Sequence, residues 1–149
     1  MMPKLVSAAR GMLVLILTLL CMAPAGARTP IIGTWSTTVD WDNRQAGLAI
    51  TLSIGTGGRI RERVMNHDGM SYDLMGRYRM DAAGATMHFT WVDYSPKQIC
   101  VGGNCTPMGP PQPLGLPHTS HIRFRGPNFF IGTTEDGVSL PWVKQSTHP

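Results

Sequence analysis

Charge is scarce in this chain, and so are the residue patterns that announce a common catalytic site. Asp, Glu, Lys and Arg make up 15% of the 149 residues, against about a quarter in an ordinary soluble domain. There is no His-Glu-x-x-His, no Gly-x-Ser-x-Gly and no phosphate loop, which removes the commonest signatures of zinc proteases, serine hydrolases and nucleotide hydrolysis. Ser, His and Asp occur, but at no spacing that marks a triad. Paired carboxylates are few: Asp40 and Asp42 share the outer face of one strand, and Glu135 and Asp136 sit in a turn. The sequence gives little argument for an enzyme.

Long apolar runs are lacking too, with one exception. Residues 12–22 are almost wholly apolar, preceded by Lys4 and Arg10 and followed by Ala25-Gly26-Ala27. The run is shorter than the ~20 residues a membrane helix needs. Its flanks are those of a secretory signal with a small-residue cleavage site. The expectation is a signal peptide over 1–27, cleavage after Ala27, and a periplasmic or secreted chain 28–149 with no further membrane span. Cys21 is not the lipidated residue of a lipoprotein, because Leu20 before it is too large for that kind of cleavage. Losing Lys4 and Arg10 lowers the formal net charge from +4 to +2. A balance that mild is no argument for a nucleic-acid partner.

Cysteine is nearly absent from the exported part. Cys100 and Cys105 are all that remain of three. In an oxidising compartment a disulfide is the natural pairing, and the glycines of Cys-Val-Gly-Gly-Asn-Cys allow the tight return. Closing so short a ring is worth about 2 kcal/mol in the chain-entropy model, so its effect is local. The spacing is not Cys-x-x-Cys and no helix start follows, so a redox-active pair is not indicated.

What the chain has in quantity is Gly (17) and Pro (12) at short intervals, the spacing of turns between short strands. Residues 31–41 alternate cleanly: Trp35, Thr37, Val39 and Trp41 on one face, Thr34, Ser36, Thr38 and Asp40 on the other, as a half-buried strand requires. Residues 48–54 follow, with Leu48, Ile50, Leu52 and Ile54 inward. Strands are predicted at 59–65, 71–80 and 85–94. A three-residue loop with Gly69 in the left-handed position sets Val64 opposite Tyr72, Glu62 opposite Leu74 and Arg63 opposite Asp73. Residues 95–119 form a long connection holding Pro96, Pro107, Pro110, Pro111, Pro113 and Pro117, a density that excludes helix interior and central strand. Three more strands are predicted at 120–125, 128–134 and 138–144.

Eight strands joined by hairpins with one long excursion describe an all-β fold. The predicted architecture is an eight-stranded antiparallel up-and-down β-barrel, closed so that no edge is exposed, and a single domain over 28–149. With its opening Gly33-Thr34-Trp35, this meander resembles the lipocalin-like and avidin-like small barrels, including lipocalin-like domains of exported bacterial proteins. The resemblance implies a barrel with a possible interior cavity. It also implies a basic residue late in the chain packed on Trp35, which the sequence does not single out. The polar biotin-binding set of avidins has no counterpart here.

The predicted interior is Trp35, Trp41, Tyr72, Tyr78, Met87, Phe89, Trp91 and Phe124, with Glu62 as the one inward charge. These are the candidate ligand-binding residues, and they could equally fill a solid core. A buried carboxylate needs a partner. Glu62 either orients a ligand, met by Tyr72 or Tyr78, or reaches water at a rim. Met65, His67 and Met70 cluster in sequence with ligand types that suit copper(I), yet Met70, Met75 and Met80 alternate faces and Met is a common core filler. His118 and His121 fall on opposite faces. No metal and no cofactor are expected. Arg59, Arg61, Arg63, Arg77 and Arg79 face outward, as a solvated face or as a strip for an anionic surface. The leading expectation is an exported, non-enzymatic protein that binds a small apolar or amphipathic molecule in the barrel. The alternative is an envelope protein-interaction module that uses the disulfide-tipped loop 94–119.

Overall fold

The computed structural model describes residues 30–40 and 47–146. The predicted signal peptide and Trp41 lie outside the described residues. Ten strands run in chain order: β1 (Gly33–Asp40), β2 (Gly47–Ile54), β3 (Arg59–Met65), β4 (Ser71–Met80), β5 (Thr86–Ser95), β6 (Gln98–Val101), β7 (Asn104–Pro107), β8 (Pro117–Gly126), β9 (Phe129–Thr134) and β10 (Ser139–Lys144). Eight of them close a barrel in the order β1-β10-β9-β8-β5-β4-β3-β2, every pairing antiparallel, while β6 and β7 form a separate two-stranded sheet. No helix occurs among the described residues.

The β3–β4 register is the one the turn chemistry dictates: Val64 faces Tyr72, Glu62 faces Leu74 and Arg63 faces Asp73. The Gly69 amide closes the turn onto the Asn66 carbonyl at 3.1 Å, with Gly69 at φ +79°. On the outer face, Asp73 accepts from Arg63 Nε at 2.9 Å and Arg61 Nη2 at 2.7 Å. Hydrogen bonds from these two guanidinium groups hold the Asp73 carboxyl down at about 2.

Two expectations need correction. The connection after β5 is not strandless: β6 and β7 make a hairpin inside it, and β8 starts at Pro117 rather than residue 120. The prolines confine regular pairing to the proline-free stretch 98–106 and its end at Pro107. The alternation of β5 also slips at Val92, a bulge that leaves Trp91 opposite Gly76 and Asp93 opposite Met75. The slip turns Tyr94 toward the barrel, where it joins the edge of the core. Its hydroxyl donates to the Met108 carbonyl at 2.6 Å and ties the excursion back to the wall.

One end of the barrel is plugged by aromatic rings. Trp35 is fully buried, and Phe130 and Trp142 nearly so. Trp35 meets Phe130 edge-on with centroids 4.7 Å apart, and Phe130 stacks on Trp142 at 6.0 Å. The Trp35 indole N–H donates to the Ile31 carbonyl at 2.7 Å. Lys144, at the end of β10, lies over the Trp35 ring with Nζ 5.3 Å from its centroid. This is the late basic residue that the sequence does not single out. Gly33 is required beside it: its φ is +140°, and a Cβ there would stand 2.9 Å from Lys144 Cε.

Candidate functional site

The opposite end of the barrel is less completely filled. It is formed by the end of β1, the starts of β2 and β4, the end of β3 and the β6–β7 hairpin that folds beside them. Two cavities open here.

The first is apolar, about 430 Å³, and lies between the barrel mouth and the excursion after β5. Leu48, Val64 and Tyr72 contribute from the barrel, Pro96, Ile99 and Met108 from the excursion. The hairpin is built for its position. Cys100 and Cys105 are directly paired across β6 and β7 and joined by the disulfide. Gly102 and Gly103, at φ +58° and +84°, make the two-residue turn that only glycine-like residues adopt without strain. The Met108 amide returns to the Lys97 carbonyl at 2.8 Å and closes the base of the hairpin.

The second cavity, about 380 Å³, is polar as well as aromatic. Glu62, Phe89, Trp91, Gln112, His118, Thr119, Thr134, Glu135 and Asp136 line it. Glu62 comes from the inner face of β3, and burial pushes its carboxyl from 4.5 up to about 7. Nothing among the described residues forms a hydrogen bond or ion pair with it. Tyr72 is its diagonal neighbour across the β3–β4 pair. Burial, then the Glu62 charge, pushes the Tyr72 phenol up. Tyr72 lines the apolar cavity and Glu62 the polar one, so this pair stands between the two. His118, at the start of β8, stacks on Phe89 with centroids 5.2 Å apart. Its Nε2 is buried without a hydrogen-bond partner among the described residues. On the rim, the Thr134 hydroxyl donates to Asp136 and holds that carboxyl below the usual carboxylate range.

The residues singled out from the sequence divide between the two ends. Glu62, Phe89 and Trp91 meet in the polar cavity, and Tyr72 lines the apolar one. Trp35 and Phe124 belong to the aromatic plug, with centroids 6.2 Å apart, and Met87 is 3% exposed in the core. Tyr78 is held by its hydroxyl donating to the Gly55 carbonyl at 3.0 Å, and burial pushes its phenol up. The residues the sequence reading did not bring to the site are His118, Gln112, Leu48, Ile99 and Met108. Running the β8 alternation of Ser120, Ile122 and Phe124 back one step puts His118 inward. Pro117 obscures that continuation.

Met65 and Met70 are exposed, and His67 pairs with Asp68 at 2.6 Å rather than with them. No group of three His, Cys, Asp or Glu among the described residues is arranged to hold a metal ion. All five outward arginines are exposed, with Arg59 and Arg77 opposite one another and Arg61 and Arg63 engaged by Asp73. No protein-family model matches the chain, and no curated protein matches it.

Proposed function

We propose that this is an exported, non-enzymatic protein of lipocalin-like design that holds a small apolar or amphipathic molecule at the open end of its barrel. The observation that carries the reading is the apolar cavity of about 430 Å³ between Tyr72, Val64 and Leu48 on one side and Ile99 and Met108 on the other. Ligand sites are concave, mostly apolar, of this size, and supplied with a few polar groups. The combination of Gly33, Trp35 and Lys144 at the plugged end supports the resemblance. The leader over 1–27 and the Cys100–Cys105 bond support an oxidising destination, in the periplasm or outside the cell.

The test is native mass spectrometry of protein purified from its own compartment, set against the denatured chain. An added organic mass that leaves on denaturation is expected. A bare chain that also fails to take up an apolar fluorescent probe would overturn the reading. It would favour instead an envelope protein-interaction role for the excursion 94–119, where Val101 at the hairpin tip is 74% exposed and Leu116 is 53% exposed.

A further inference from the structure

The polar cavity has a composition that selects a ligand by charge. Three carboxyl groups line it, Glu62 from β3 and Glu135 and Asp136 from the β9–β10 turn, and no Lys or Arg among the described residues does. The arginines of β3 leave on the outer face, where Asp73 engages Arg61 and Arg63. Phe89 and Trp91 form the aromatic wall, edge to face at 5.2 Å. Aromatic rings attract cations through the negative potential of their faces. Lining this cavity, the Glu62 carboxyl has no hydrogen-bond or ion-pair partner among the described residues, and His118 Nε2 is buried without one. An inward carboxylate without a counter-charge is unfavourable, and a neutral imidazole nitrogen can accept a hydrogen bond. One N–H-bearing cation would meet both needs.

We propose that the cavity lined by Glu62, Phe89, Trp91 and His118 is a binding site for a protonated organic amine with an apolar body. The proposal rests on the open end being a ligand site and names the chemical class it takes. The ammonium group pairs with the Glu62 carboxylate and donates to His118, while the body lies along Phe89 and Trp91. Glu135 and Asp136 at the rim draw cations toward the mouth. Tyr72 from β4, the diagonal neighbour of Glu62, stays neutral in the working range.

The experiment is calorimetric titration of the purified protein at pH 8, where Glu62 is ionised. The probes are phenethylammonium, its neutral counterpart 2-phenylethanol and the anion 3-phenylpropionate. Phenethylammonium is expected to bind at least tenfold tighter than the alcohol, and the anion least of all. Glu62→Gln keeps the size of the side chain and removes its charge, and so leaves the barrel folded. It is expected to erase the tenfold preference of the amine over the alcohol. Equal affinity for amine and alcohol, or a preference that survives in Glu62→Gln, overturns the amine site but not the binding reading. Binding of none of the probes also overturns it, while the mass measurement above decides the broader reading separately.

Discussion

At the plugged end, inward positions carry Trp35, Phe124, Phe130 and Trp142. Further along the same barrel they carry Thr37, Glu62, His118 and Thr134. The backbone ladder is continuous between them, so the difference lies in what the side chains contribute. The aromatic end buries large apolar surface in ring contacts of 4.7 to 6.2 Å. The other end carries a carboxyl group displaced to about 7, and an imidazole nitrogen and the buried Thr37 hydroxyl, both without a hydrogen-bond partner among the described residues. One end stabilises the barrel. The other gives up some of that stability for polar groups directed at a cavity.

The comparison can be broken most sharply at Trp35. Trp35→Ala removes the centre of the plug and should destabilise by about 3–5 kcal/mol, read from urea unfolding. A loss under about 1 kcal/mol would mean that the plug is not the source of stability. Glu62→Gln tests the opposite claim. The folded protein holds the Glu62 proton more tightly than the unfolded chain, so Glu62 lowers stability as pH rises from 4.5 to about 7. Below 4.5 both states are protonated and the penalty vanishes. At pH 8 the substitution should stabilise by up to about 3 kcal/mol, at 1.36 kcal/mol per pH unit. A melting temperature with the same pH profile in both proteins would return Glu62 to solvent.

The disulfide sharpens the contrast on a smaller scale. Cys100→Ser with Cys105→Ser should cost at most about 2 kcal/mol, and hydrogen exchange should accelerate in β6 and β7 while the barrel strands keep their protection. Acceleration throughout the barrel would show the hairpin to be part of the core. Least of all, Lys144→Met should cost about 0.5–1 kcal/mol for the lost cation–aromatic contact, seen as a shift in the unfolding midpoint.

How much of this was legible in the sequence depends on the period of two. Where alternation is strict, as in Leu48 to Ile54 and Arg59 to Met65, strand, face and register all follow from it. The pairings of Glu62 with Leu74 and Arg63 with Asp73 needed only the loop around Gly69. Where the backbone slips, alternation misleads. The bulge at Val92 turns Tyr94 inward, beside a close approach of Trp91 to Gly76, where a Cβ would stand 2.4 Å from the Thr90 carbonyl oxygen. The proline density of the excursion masks its early proline-free stretch between Pro96 and Pro107, which is long enough for a hairpin. Lys144 over Trp35 joins residues more than a hundred positions apart. No local pattern encodes that contact, because it depends on β1 pairing with β10.

The hairpin carries a consequence for how this molecule can change. β5 pairs directly with β8, so the whole excursion between them leaves the barrel and returns without interrupting the ladder. Its walls at Ile99, Met108 and Gln112 reach both cavities. Substitution, shortening or replacement of that stretch would therefore reshape both cavities while the barrel strands keep their neighbours. The excursion's share of the cavity walls can drift without endangering the barrel, while the share supplied by the strands cannot.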